Sequence, residues 1–220
     1  VQTETDTHLL TYNNWTLRVR HPAENPARLL LLLHGWTGDE NSMWVFARNL
    51  SPHYWVLAPR APYPAENSGF SWRELKNGTW GWPTLTELRP AAEALLRLAD
   101  NLSISMNVDA STFDVMGFSQ GAALASLLCL LHPQRIRKSA ILSGFVPDGA
   151  EDLFSRRPLE GKSIFVAHGT NDNLVPLERA QLSMQRLEQA GAQVCFCEAE
   201  VGHKVSADCM KALNAYFENP

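Results

Sequence analysis

No apolar run in this chain approaches the roughly 20 residues that a membrane-spanning helix needs. The leucine run at residues 29–33, which no other apolar run exceeds, has the length of a buried strand. Basic residues are not in excess: 19 Lys and Arg stand against 23 Asp and Glu, a net charge of −4. They are also scattered, which argues against nucleic acid or an anionic membrane as the main partner. Cysteine is scarce. Cys129, Cys195, Cys197 and Cys209 show neither zinc-site spacing nor the density of a disulfide scaffold. Cys195 and Cys197 fall on one face of one strand, and buried free thiols are the expectation rather than a bridge or a metal site. No H-x-x-x-H pair or carboxylate cluster is present, which disfavours a metal. No signal peptide is visible, so a cytoplasmic location is expected. The N-x-[ST] matches at Asn14, Asn77 and Asn101 are chance occurrences unless the protein is secreted.

Hydrophobic residues make up 45% of the 220. That suffices for one α/β domain over residues 1–220. No repeat, low-complexity tract or linker divides it. Residues 8–12 and 15–20 flank Asn13-Asn14 and read as a hairpin. Residues 28–34 read as a leucine-rich strand, apolar from 29 to 33 as in the middle of a parallel sheet, and 54–58 form another strand. A short helix is expected over 42–50. Residues 60–83 form a long loop with many Pro, Gly and Asn, but its aromatic residues argue against disorder. Leu88, Ala92, Leu95, Leu96, Ala99 and Leu102 recur at helical spacing. Strands over 112–118, 139–142, 163–167 and 193–197 then alternate with helical faces. These are marked by residues 122–131, by Leu177, Ala180, Met184 and Leu187, and by Val205, Cys209, Leu213 and Phe217. The alternation predicts a doubly wound, mostly parallel twisted sheet with an antiparallel start and helices on both faces.

In such a sheet, ligands gather beyond the carboxyl ends of the strands. Four polar segments fall there. Gly117-Phe118-Ser119-Gln120-Gly121 fits G-x-S-x-G between a strand and a helix, the context in which a tight turn exposes the serine oxygen. Gly117 and Gly121 let strand and helix approach closely around it. Asp172 follows the strand ending near Ala167, and His203 follows the last strand. The order Ser, Asp, His is the one α/β-hydrolases use. A serine hydroxyl is a weak nucleophile and needs a neighbouring base. His203 would take its proton, and Asp172 would hold the imidazole tautomer and stabilise imidazolium. Asp148 and Asp152 are weaker rivals for the carboxylate. His34 and His168 each precede a glycine at a strand end and read as hydrogen-bonding supports. His8, His21, His53 and His132 read as surface residues. The tetrahedral oxyanion needs donors already in place: the N–H of Gln120 at the helix start, and a second from the 34–36 turn, assigned to Trp36.

Leu33-His34-Gly35, Gly117-Phe118-Ser119-Gln120-Gly121, His168-Gly169 with Asp172 and Val175-Pro176, and Gly202-His203 together resemble the phospholipase/carboxylesterase family. That family includes acyl-protein thioesterases and small carboxylesterases. The resemblance runs from about Leu29 to the end. It implies an α/β-hydrolase fold without a separate cap domain, no cofactor, a Ser119-Asp172-His203 triad, and Trp36 and Gln120 as oxyanion donors. Two departures stand out. The turn reads Trp36-Thr37-Gly38-Asp39-Glu40, where the family more often has a glycine two residues after the His-Gly pair. The 72–82 segment is also unusually rich in Trp, so substrate preference is expected to differ from the thioesterases.

Phe70, Trp72, Trp80, Trp82, Trp36, Phe145, Leu174 and Val175 lie on loops near the same sheet edge. Each either lines an acyl pocket or packs the long loop onto the body. Low charge near the site suits a neutral ester or thioester, and the lack of a long lid helix suits a short-to-medium acyl group. The expected activity is a serine carboxylesterase acting through an acyl-enzyme. An acyl-protein or acyl-CoA thioesterase or lysophospholipase is the alternative. A binding module that keeps the fold without the activity is the rival from another class.

Overall fold

The structure is a computed structural model that describes residues 7–23, 27–76, 81–106 and 108–218. The first strands, β1 (Thr7–Tyr12) and β2 (Trp15–Arg20), form a hairpin through Asn13 and Asn14. Their φ angles of 44° and 68° supply the left-handed pair that a two-residue hairpin turn requires. There follow β3 (Arg28–Leu33), α1 (Trp44–Ala47), β4 (Tyr54–Pro59), β5 (Tyr63–Pro64), β6 (Phe70–Ser71), α2 (Leu85–Met106), β7 (Phe113–Phe118) and α3 (Gln120–Leu131). The chain continues with β8 (Ile136–Leu142), α4 (Glu151–Phe154), β9 (Ser163–Gly169), α5 (Leu177–Gln189), β10 (Gln193–Ala199) and α6 (Ala207–Glu218). Eight strands make one sheet in the order β1-β2-β4-β3-β7-β8-β9-β10. β2 runs antiparallel to both neighbours, and the remaining pairs are parallel. This is the mostly parallel sheet expected from the alternation of strands and helices.

The leucine run of β3 shows how one strand serves two cores. Leu29, Leu31 and Leu33 pack among residues of α2 and α3. Leu30 and Leu32 pack on the other face, with Phe46 of α1 and with Cys209, Leu213 and Phe217 of α6. A central parallel strand must be apolar on both faces because helices cover both. Helix α3 is buried from Gln120 to Leu130, wedged between the sheet and α2, so it is apolar all round. At the start of α2, Glu87 accepts from the N–H and hydroxyl of Thr84. At the end of α5, Gly191 with φ 101° turns the chain into β10, where the N–H groups of Gly191 and Ala192 close onto Glu188 and Leu187.

Two expectations are corrected here. Cys197 and Cys209 are joined as a disulfide, with Cα atoms 5.7 Å apart. Cys195 is exposed, and Cys129 alone is a buried free thiol among the cysteines. The crossover that lays α6 on β10 brings two cysteines with a sequence separation of 12 face to face. Nothing in their spacing shows this, since bridging depends on the distance between backbones. The second correction concerns the 60–83 loop. It contains the ribbon of β5 and β6, and its Trp72 is fully buried.

Candidate active site

Ser119 stands at the carboxyl end of β7 with φ 54° and ψ −115°. Such a backbone is costly for a residue with a side chain and persists only where the surroundings over-determine it. Here they do. The Ser119 N–H donates to the Leu142 carbonyl at 2.9 Å, while its own carbonyl accepts from Ala122 and Ala123. A Cβ at Gly117 would lie 2.1 Å from the Gly121 carbonyl oxygen, and one at Gly121 would lie 2.1 Å from that of Leu33. Only glycines permit so sharp a join between β7, α3 and β3.

Asp172 sits in the turn after β9. Its Oδ1 accepts from the N–H groups of Leu174 and Val175, each at 2.9 Å. Its Oδ2 accepts from His203 Nδ1 at 2.7 Å. An ionised carboxylate only accepts, so Nδ1 is the donor in this contact, and in the neutral imidazole that leaves the lone pair on Nε2. The turn bearing Asp172 is stitched to the loop bearing His203 by Thr170 N–H to Ala199 and Asn171 N–H to Val201. The His203 ring lies against Phe118, centroids 4.9 Å apart, which places it beside the residue preceding Ser119. His168 stands behind this pair. Its Nε2 donates to the Val175 carbonyl at 2.7 Å and lies 3.6 Å from Asp172 Oδ2. The Cys197–Cys209 bridge ties the two ends of the segment that carries His203.

Across from this pair, the turn after β3 offers donors. Thr37 gives its N–H to the Phe70 carbonyl, and Gly38 gives its N–H to Gly35. Among the described residues no carbonyl takes the N–H of Trp36. Gln120 opens α3, where the first N–H groups have no intrahelical acceptor and the helix dipole favours negative charge. Its side chain is pinned, with Oε1 accepting from the Trp72 N–H at 2.9 Å. Trp72 Nε1 in turn donates to the His34 carbonyl at 2.8 Å. His34 Nε2 accepts from the Ala61 N–H at 3.0 Å, and its Nδ1 donates to Gly35. Burial holds the His34 imidazole below its usual range.

The same turn is braced from outside. Arg60 reaches both oxygens of the buried Glu40, at 2.7 and 2.8 Å, and its guanidinium covers the Phe70 ring at 4.7 Å. That bonding holds the Glu40 carboxyl below the usual carboxylate range. Thr37 has φ 66°. The position where this sequence departs from the family's glycine is thus one whose backbone favours glycine.

Two clefts open at this end of the sheet, and Trp36 lines both. The first, about 420 Å³, has Ser119 and Gln120 in its wall together with Trp82, Phe145, Leu174, Val175, Leu75, Arg73 and Glu66. The Trp82 ring meets Phe145 edge-on at 4.6 Å and carries Arg179 at 4.3 Å. Of the aromatic and apolar candidates, Trp36, Trp82, Phe145, Leu174 and Val175 line this cleft. Phe70 and Trp72 do not. Phe70 takes backbone bonds from the Trp36 turn, and Trp72 fills the space beneath that turn, because its indole N–H has a buried carbonyl to reach. Trp80 lies outside the described residues. Arg73 was not legible as a lining residue. It is buried, with its Nη1 donating to Glu87 and its Nη2 to the Gly81 carbonyl. The second cleft, about 520 Å³, includes Thr37, Met43, Val45, Phe46, Phe118, Lys204, Val205 and Met210, and the sequence offered no sign of it. Among the described residues, no cluster of three or more His, Cys, Asp or Glu has the proximity to hold a metal ion.

Known proteins share this framework. The crystal structure of a carboxylesterase from Mesorhizobium loti superposes with a TM-score of 0.79 at 24% identity, covering 98% of this chain and 100% of that one. The Bacillus cereus carboxylesterase gives a TM-score of 0.79 at 24% identity over 93% and 94% of the two chains. Likeness at that identity speaks for the fold. In sequence, carboxylesterase SOBER1 of Arabidopsis thaliana is 33% identical over 107 residues, covering 47% of this chain and 46% of that protein. The match thus spans under half the length of that relative. Acyl-protein thioesterase 1 of Kluyveromyces lactis is 27% identical over 178 residues, covering 74% and 77% of the two. The profile of the family described as Phospholipase/Carboxylesterase matches residues 14–219. The chain therefore belongs to the phospholipase/carboxylesterase family of hydrolases.

Proposed function

We propose that this chain is a serine carboxylesterase acting through an acyl-enzyme. The observation that carries the reading is the 2.7 Å contact between His203 Nδ1 and Asp172, with the imidazole laid on Phe118 beside the strained Ser119. His203 Nε2 takes the hydroxyl proton as Ser119 Oγ attacks the ester carbonyl. The developing oxyanion meets the N–H groups of Gln120 and Trp36; one such donor is typically worth about 3–4 kcal/mol in the transition state. The imidazolium then gives its proton to the departing alcohol, and water repeats the sequence to release the acid. Asp172 keeps the tautomer and offsets the positive charge.

The first cleft supports a short-to-medium acyl group, since about 420 Å³ lies toward the small end of ligand pockets. Arg73 within it is neutralised by Glu87, which suits an uncharged acyl chain. The Cys197–Cys209 bridge favours a compartment that lets thiols oxidise over the expected cytoplasm.

Ser119→Ala should abolish hydrolysis of p-nitrophenyl esters and labelling by a fluorophosphonate while the circular dichroism spectrum is unchanged. Full activity in that variant ends the proposal. Failure of the wild-type protein to label would favour a non-catalytic binding role. A thioesterase is the second reading, supported by the likeness to acyl-protein thioesterase 1 of Kluyveromyces lactis. Esters and thioesters of matched chain length separate the two.

A further inference from the structure

Resting on the serine-esterase reading, we infer that the second cleft receives the leaving alcohol and that Lys204 selects alcohols carrying an anionic group. The base that accepts the nucleophile's proton later hands it to the leaving oxygen. As the acyl–oxygen bond breaks, its electron pair stays on that oxygen, which takes the proton from His203 Nε2. The alcohol half must therefore lie on the imidazole's side of Ser119. The His203 ring rests on Phe118, and Phe118 walls the second cleft, not the first. Lys204 and Val205, which follow His203 directly, wall the same cleft. Ser119 and Gln120 themselves wall the first, which assigns that one to the acyl half. Trp36 is the partition between them.

The chemistry of the second cleft narrows the alcohol. Val45, Phe46, Val205 and Met210 give it apolar walls. Lys204 is its one charged lining residue, and among the described residues no carboxylate pairs with that ammonium. An alcohol with an apolar body and a carboxylate, sulfonate or phosphate fits both features.

Butyrate esters that share the acyl group and differ only in the alcohol test this. The set is 4-nitrophenol, 4-hydroxybenzoate, 4-hydroxybenzenesulfonate and a phosphate-bearing phenol. Each is compared between wild type and Lys204→Gln, so that intrinsic leaving-group reactivity cancels. The ratio of kcat/KM for the anionic esters over the neutral one should fall up to roughly fivefold, the upper range for a charge contact at a solvent-exposed rim. Lys204→Glu should invert the preference. Added salt should erode it in wild type. The carboxylate, sulfonate and phosphate arms show which anion is held best. The loss should appear in acylation, because the alcohol has left before deacylation. If Lys204→Gln lowers all four esters equally, the inference fails while the esterase reading stands. If Met210→Trp shifts the acyl-chain-length profile and leaves the alcohol preference alone, the second cleft holds the acyl chain, and the assignment is overturned. An inactive Ser119→Ala alongside either result keeps the two questions separate.

Discussion

Reducing the Cys197–Cys209 bridge is the perturbation whose size the structure best defines. The bridge closes a loop between residues with a sequence separation of 12. Loop-closure entropy then assigns it about 3 kcal/mol, drawn mainly from the unfolded chain. For a domain of this length, that lowers the melting temperature by roughly 6–12 °C. A protein with the usual margin of about 5–15 kcal/mol stays folded at 25 °C without it. Activity should nevertheless fall, because the closed loop carries His203. The β10 end stays tied through Thr170 and Asn171 to the Asp172 turn, and the α6 end keeps the core packing of Leu213 and Phe217 but loses its covalent tie to β10. If the whole constraint bore on the imidazole, about 100-fold in kcat would be the ceiling, since about 1.4 kcal/mol is a factor of ten. A several-fold loss is expected, with KM changing less. The assay is thermal unfolding and ester hydrolysis with and without dithiothreitol, beside a Cys197→Ser/Cys209→Ser double variant. Thiol titration in denaturant should rise from the two free cysteines, Cys129 and Cys195, to all four. Titration under native conditions should miss Cys129, whose thiol burial pushes up to about 11. The double variant should melt like the reduced protein and ignore reductant. If reduction is complete by thiol count and neither the midpoint nor kcat moves, the bridge does not hold the His203 loop.

Three further outcomes concern the Trp36 turn and the groups around it. Glu40→Gln removes the charge that Arg60 grips from both oxygens. Because the Arg60 side chain is 35% exposed, the cost should be about 1–2 kcal/mol rather than the 3–5 of a fully buried pair. A fall in kcat larger than any change in KM would tie the brace to donor placement; no change in either denies the connection. Thr37→Gly relieves the strain at φ 66° and should stabilise by about 1 kcal/mol, read as a midpoint rise of roughly 2–4 °C; a lower midpoint shows that the threonine side chain earns its place by packing. Acidification should destabilise in two stages. His34 is held neutral by burial, so its folded pKa is depressed, and the unfolded chain takes up the proton first as pH falls through 6.5. Burial shifts His132 the same way. Glu40, depressed by Arg60, contributes stability above its unfolded value of 4.5 and loses it as pH falls through its folded value. Melting curves from pH 7.5 to 3 check this, and a midpoint constant between pH 7.5 and 5.5 contradicts the His34 account.

What could be read in the sequence was local or periodic. The run of leucines in β3 and the helical spacing along α2 announce burial, because side-chain direction repeats every two residues in a strand and every 3.6 in a helix. The serine turn is legible because its glycines answer a steric demand between neighbouring segments: a Cβ at Gly117 would collide with Gly121, four residues on. Thr37 is the contrary case: its departure from the family's glycine is legible, but its φ of 66° came only with the structure. Only the folded chain decided where the 60–83 loop points its aromatic rings, since a loop has no period to project from. Phe70 and Trp72 turned to brace and fill, while Trp82 lined the cleft. Only the fold joined Cys197 to Cys209, and only it split the site into two clefts with Lys204 beside one of them. Those features depend on distances between segments remote in sequence, which are set by how helices dock on the sheet and leave no mark on the residues themselves.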